Sequence, residues 1–121
     1  MSKRILVVED QEDNRRILRD LLTSADYEIM EAESGEEALT AAAKQRPDLI
    51  LMDIQLPIMD GYEATRRIKA DPTLTHVPVI AVTSYALSGD KAKALAAGCD
   101  DFVPKPYSPR QLLAKIRQLL R

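Results

Sequence analysis

Short apolar runs alternate with amphipathic stretches along the chain. Five runs rich in aliphatic and β-branched residues are typical of strands, and they occupy residues 5–8, 27–30, 49–52, 79–82 and 102–103. Apolar residues at helical spacing mark three core-facing stripes: Ile17, Leu18, Leu21 and Leu22; Ala38, Leu39 and Ala42; and Leu112, Leu113, Ile116, Leu119 and Leu120. The pattern predicts five strands that alternate with helices.

Capping residues support these helix boundaries. Ser34 and Asp60 each precede a glutamate by three residues, which is the spacing of a capping box. Ser108 is followed by Pro109, which suits an N-cap and the first helical turn. Gly98 can end the fourth helix in the left-handed conformation.

Alternation of this kind predicts an α/β fold of three layers. Strands that are separated by helices run parallel through right-handed crossovers, and the helices cover both faces of the sheet. The runs ILVV, LILM and VIAV are apolar throughout, as parallel strands buried on both faces must be. Functional groups are then expected at the carboxyl ends of the strands.

Size and composition are those of a globular domain. The chain has 121 residues, of which 45% are hydrophobic and 30% charged, so we expect residues 1–121 to form one domain. Its net charge of -2 gives no general attraction to nucleic acid or anionic lipid. The apolar runs are too short to span a membrane, and a lone cysteine, Cys99, agrees with a reducing compartment. We therefore expect a cytoplasmic protein.

Polar residues follow four of the five predicted strands. Glu9 and Asp10 follow the first strand, Asp53 the third, Thr83 the fourth and Lys105 the fifth. A parallel sheet brings these carboxyl ends to one edge despite their separation in sequence. Taken singly, the acids could be solvated turn or cap residues. Their joint placement favours a site.

The chemistry of this set points to a metal and a phosphoryl group. Three neighbouring carboxylates repel one another unless a cation or Lys105 compensates them. Mg²⁺ accepts oxygen ligands from one or two carboxylates and a phosphate, and Mn²⁺ is expected to substitute for it. A carboxylate such as Asp53 can also attack phosphorus to give an aspartyl phosphate, whose oxygens Lys105 and Thr83 suit as partners.

Four segments resemble the receiver domains of two-component response regulators. They are ILVVED, LILMDIQLPIMDGYEATRRI, VIAVTSYA and FVPKP, and the resemblance covers essentially the whole chain. It implies a flavodoxin-like fold with strand order 2-1-3-4-5. It also implies that Asp53 is the phosphoacceptor and that the Lys105–Pro106 peptide is cis.

The resemblance implies further roles around Asp53. Glu9, Asp10, Asp53 and the backbone carbonyl of Gln55 would bind Mg²⁺, while Lys105 would contact the phosphoryl group. Thr83 and Phe102 would form a conformational switch, in which phosphorylation draws Thr83 inward and Phe102 follows it into the vacated space. Glu9 departs from the commoner aspartate, and Phe102 stands where the family often has tyrosine. Phe102 cannot donate a hydrogen bond, so it would signal by packing alone or serve as an ordinary core aromatic.

Such a receiver is a signalling protein and not an enzyme, although it assists its own phosphoryl transfer and dephosphorylation. We expect its donor to be a histidine kinase or a histidine phosphotransfer protein, because His76, the only histidine, lies in a predicted loop. The altered surface would comprise the fourth helix, fifth strand and fifth helix and bind a downstream protein. No direct DNA or membrane binding is expected, and the chain would be a monomer or weak dimer. A free-standing regulator and a receiver from a hybrid kinase both remain open.

Three other functions fit parts of this pattern. A haloacid-dehalogenase-like phosphatase would use the same groups, but it needs an acid two residues after the nucleophile, where Gln55 stands. A flavin-binding module would need a hydroxyl-rich or glycine-rich loop after the first strand, whereas EDQEDN is acidic. A receiver that has lost phosphorylation would serve only as a scaffold.

Overall fold

The computed structural model describes residues 2–84 and 88–120. Five strands and five helices alternate within this part of the chain. In order, they are β1 (Arg4–Val8), α1 (Glu12–Ser24), β2 (Glu28–Ala32), α2 (Gly35–Lys44), β3 (Leu49–Asp53), α3 (Gly61–Ala70), β4 (Val79–Thr83), α4 (Ser88–Ala96), β5 (Asp101–Pro104) and α5 (Pro109–Leu119). Among the described helices, none has the length and hydrophobicity needed to cross a bilayer.

All strand pairs are parallel, and the sheet order is β2-β1-β3-β4-β5. The predicted α/β class and strand order are confirmed. Alternate residues of each central strand enter different cores, so that Ile5 and Val7 pack with α1 and α5. Leu6 and Val8 pack with α2, α3 and α4 on the opposite face. Both faces of the sheet are therefore covered, which explains the uninterrupted apolar runs.

The predicted caps are present. Ser34 Oγ accepts the N–H of Glu37 at 3.1 Å, and Asp60 Oδ1 accepts the N–H of Glu63 at 2.9 Å. Ser108 caps α5, and Gly98 follows α4 with a φ of 105°. Each satisfies backbone groups that the helix end would otherwise leave without partners.

All five predicted strands are present, with bounds that shift by one or two residues and most of all in the second strand, whereas the core position predicted for Ile17 was wrong. The second strand begins at Glu28 and extends to Ala32, because the N–H of Tyr27 bonds to the carbonyl of Leu22 and completes the turn after α1. Ile17 is 58% exposed and lies outside the core. Successive helical residues point about 100° apart, so the face that buries Leu18 turns Ile17 toward solvent.

Gly61 brings the start of α3 against the end of β3. A Cβ at this position would overlap the carbonyl oxygen of Asp53 and lie 2.8 Å from the Cα of Ile54. Only a residue without a side chain permits this close approach. The glycine thereby fixes the loop that follows Asp53.

Candidate functional site

Three acidic side chains meet at the carboxyl edge of the sheet. Glu9 and Asp10 follow β1, Asp53 ends β3, and one carboxylate oxygen from each lies within 4.8 Å of the others. Glu9 and Asp53 are only 2% and 5% exposed, whereas Asp10 faces solvent. Charges with so little access to water require compensating partners.

Lys105 supplies one such partner. Its Nζ lies 3.1 Å from Glu9 Oε1 and 3.3 Å from Asp53 Oδ2. Burial alone would lower the pKa of Lys105, but the charge of Asp53 and the hydrogen bond and charge of Glu9 outweigh it, and the pKa is raised. The ammonium therefore remains charged between the two carboxylates.

Backbone amides fix the orientation of both buried acids. The N–H of Gln11 donates to Glu9 Oε2 at 3.0 Å, and the N–H of Gln55 donates to Asp53 Oδ1 at 3.1 Å. The pKa of Asp10 is raised, first by partial burial and then by its hydrogen bond to Glu9 and the charge of that residue. The cluster thus retains electrostatic repulsion that Lys105 does not remove.

Thr83 ends β4 and is fully buried at the same edge. Its Oγ1 accepts a hydrogen bond from Gln55 Nε2. Gln55 Oε1 in turn accepts the N–H of Ser84 at 3.0 Å. The sequence singled out only the backbone carbonyl of Gln55, so this side-chain bridge was missed.

A buried arginine was also missed. Arg15 is 4% exposed, and its Nη1 donates to the carbonyl oxygen of Glu9 at 2.8 Å. Its guanidinium also pairs with Glu31 at 3.3 Å and Glu33 at 3.1 Å. Helical spacing could have revealed it, because Arg15 precedes the buried Leu18 by three residues. Arg15 anchors the turn that carries the acidic pair.

The remaining predicted residues lie beside this cluster. Phe102 in β5 is half-buried and packs against the core on the α2–α4 side. The Lys105–Pro106 peptide is cis. Lys105, by contrast, pairs with two of the three acids, Glu9 and Asp53.

The donor set suits a hard divalent cation. Among the described residues, three carboxylates face the Lys105 ammonium, and the ligand atoms that they offer are all oxygens. Mg²⁺ prefers such ligands and retains several waters, which the exposed position of Asp10 would admit. The residues therefore fit a Mg²⁺ ion.

The sequence matches the response regulator receiver domain family over residues 5–117. It is 43% identical over 120 residues to the polar-differentiation response regulator DivK of Brucella ovis, covering 99% of this chain and 98% of that protein.

Solved structures share the fold over nearly their whole length. One is the receiver domain of a sensor histidine kinase from Pseudomonas aeruginosa, which has a magnesium ion in its active site cleft. It is 38% identical with a TM-score of 0.92, covering 99% of this chain and 98% of that one. The chemotaxis protein CheY4 of Vibrio cholerae is 28% identical with a TM-score of 0.94, covering 99% and 100% of the two chains.

Proposed function

Because this chain belongs to the family of response regulator receiver domains, we propose that it switches signalling through a phosphoryl group on Asp53. Receiver domains act in two-component systems as phosphorylation-dependent switches, and they bind Mg²⁺ at an acidic site. They are signalling proteins and not enzymes in their own right.

The observation that carries the proposal is the environment of Asp53. Its two oxygens are held separately, one by the N–H of Gln55 and the other by the Lys105 ammonium. In the transfer, a carboxylate oxygen of Asp53 attacks the phosphorus of a phosphohistidine. The new P–O bond forms as the P–N bond breaks, and the imidazole leaves with the electron pair and takes up a proton.

Glu9, Asp10, Asp53 and the backbone carbonyl of Gln55 would hold Mg²⁺, with Mn²⁺ as a substitute. Such an ion would supply positive charge to offset that of the phosphoryl oxygens. Glu9 is held by Lys105 and by the Gln11 amide, so it is already oriented toward Asp53. Its extra methylene relative to aspartate is thereby accommodated.

Lys105 and Thr83 respond to the new group. Lys105 already contacts Asp53 Oδ2 and would transfer that contact to a phosphoryl oxygen. Thr83 would donate its hydroxyl proton to another oxygen and draw the end of β4 inward. Phe102, which is half-buried beside this strand, would repack in response. The surface formed by α4, β5 and α5 would then change its affinity for a partner.

The partners follow from this chemistry. A histidine kinase or histidine phosphotransfer protein would supply the phosphoryl group in the cytoplasm, and a downstream protein would read the altered surface. His76 precedes the amino end of β4, at the edge of the sheet opposite Asp53, so we propose that it is not the donor. We propose no direct DNA contact, and a monomer or weak dimer in solution.

Intact-mass measurement with Mg²⁺ and a small acyl-phosphate donor tests the proposal. Wild type should gain the mass of one phosphoryl group, and removal of the metal by a chelator should prevent the gain. Asp53→Asn should remain unlabelled, while Asp13→Asn is a matched control because Asp13 is exposed on α1. Labelling of Asp53→Asn, or none of wild type, would refute the assignment, the latter outcome favouring a scaffold. Steady turnover of a phosphomonoester would favour a phosphatase.

A further inference from the structure

The Gln55 side chain joins the loop after Asp53 to the end of β4. Its amide nitrogen donates to Thr83 Oγ1, and its amide oxygen accepts the N–H of Ser84. The backbone N–H of the same residue donates to Asp53 Oδ1 at 3.1 Å. We infer that Gln55 is a positioning residue, which presets the Thr83 hydroxyl to donate to a phosphoryl group on Asp53.

The Ser84 contact fixes which way the Gln55 amide faces. A backbone N–H can only donate, so the atom opposite Ser84 must be the amide oxygen. The amide nitrogen must then face Thr83, where it can only donate. The Thr83 oxygen is therefore an acceptor in this hydrogen bond.

A hydroxyl that accepts one hydrogen bond becomes a better donor in the next. This cooperative strengthening is favoured where water is excluded, and Thr83 is fully buried. The amide also restricts rotation of the hydroxyl, so less orientational freedom is lost when a phosphoryl oxygen arrives. Gln55 thus acts through Thr83 and need not touch the phosphoryl group.

The arrangement also links the two elements that must respond together. Gln55 contacts Asp53 through its backbone and β4 through its side chain. A change at Asp53 that shifts this loop would be transmitted to Thr83 and Ser84 by the same residue. This inference rests on the proposed phosphorylation of Asp53 and adds the residue that aligns the switch hydroxyl.

The test uses beryllofluoride, a phosphoryl analogue, with fluorine NMR to measure its apparent dissociation constant at Mg²⁺ saturating for each protein. Gln55→Met keeps the side-chain length and removes both amide hydrogen bonds. It should raise the apparent dissociation constant of beryllofluoride about fivefold, which is the effect expected from the loss of one well-aligned hydrogen bond. Circular dichroism and a cooperative urea transition would establish that each variant is folded.

A double-mutant cycle separates this role from a general loosening of the loop. In a Thr83→Val background, which keeps the shape but lacks the hydroxyl, Gln55→Met should change binding by less than about twofold. In a Thr83→Ser background, which retains a hydroxyl, the fivefold effect should return. The Ser variant also keeps the test decisive if the Val variant does not fold.

Each outcome bears on a separate claim. Equal binding by wild type and Gln55→Met would overturn the inference, as would a fivefold loss that persists in Thr83→Val. Failure of wild type to bind beryllofluoride, or equal binding by Asp53→Asn, would instead overturn the proposed function. The two failures are therefore distinguishable.

Discussion

Replacing Lys105 with methionine should destabilise the protein in a manner that Mg²⁺ repairs. The ammonium lies 3.1 Å from Glu9 and 3.3 Å from Asp53, whose side chains are only 3% and 6% exposed. Methionine keeps much of the apolar stem and removes the charge. Two nearly buried carboxylates would then face each other and Asp10 without their cation.

The loss in free energy of unfolding caused by Lys105→Met can be estimated from these contacts. A hydrogen bond to a charged group contributes roughly 1.5–3 kcal/mol, and leaving a buried charge unpaired costs about 3–5 kcal/mol. Lys105 is 23% exposed, so water would relieve part of the loss. We expect the free energy of unfolding in chelator to fall by about 3 kcal/mol. For a chain of this length the melting temperature would fall by roughly 12 °C.

Urea and thermal unfolding with chelator and with Mg²⁺ form the assay. Mg²⁺ should stabilise Lys105→Met more than wild type, because the ion replaces the missing charge. Lys115→Met is a matched control, since Lys115 pairs at 3.0 Å with the more exposed Asp101 and should cost less than about 1 kcal/mol. Equal losses in the two variants, or equal Mg²⁺ stabilisation of wild type and Lys105→Met, would refute this reasoning.

Three further substitutions probe the same edge of the sheet. Asp10→Asn should stabilise the metal-free protein at pH 7, because burial and Glu9 raise the pKa of Asp10 and so penalise its charged form. The pKa of Asp10 is higher in the folded than in the unfolded state, so the charged form is penalised only above the unfolded pKa. Urea titrations should therefore show that the stability gained by Asp10→Asn is lost as the pH falls below about 3.9. Ile58→Asn should raise the free energy of unfolding by about 1 kcal/mol, because Ile58 is fully exposed and has a φ of 68°, which asparagine tolerates better than isoleucine. An unchanged urea midpoint would contradict this prediction. Gly61→Ala should lower the free energy of unfolding by about 2–3 kcal/mol and reduce phosphoryl labelling of Asp53, because the new Cβ would overlap the carbonyl oxygen of Asp53. An unchanged melting temperature would count against this close approach.

The sheet was predictable because its strands are buried on both faces. β1, β3 and β4 must be apolar along their length, so their ends are visible where Glu9, Asp53 and Thr83 interrupt the pattern. β2 lies at the edge of the sheet and carries mixed residues, and its start was set by a hydrogen bond that ends the preceding turn. Its apolar residues Ile29 and Met30 are only partly covered, and its two glutamates interrupt the apolar run, so the edge strand gives a weaker signal.

The missed features depend on partners that lie far away in the sequence. Gln55 lies in a loop, and its partners are on a strand that is distant in sequence. Arg15 did show helical spacing with Leu18, yet arginine is rarely so buried without partners. Its carboxylate partners come mainly from β2 and the loop after it. Tertiary contacts therefore decide both roles.

Locating the phosphoryl group tests the central claim most directly. After labelling with Mg²⁺ and an acyl-phosphate donor, borohydride reduction converts an aspartyl phosphate to homoserine, which peptide mass spectrometry can place in the chain. We predict conversion at residue 53 alone, and none when Mg²⁺ is omitted. Conversion at Asp10, or a phosphoryl group that resists reduction and maps to a hydroxyl or to His76, would contradict the account.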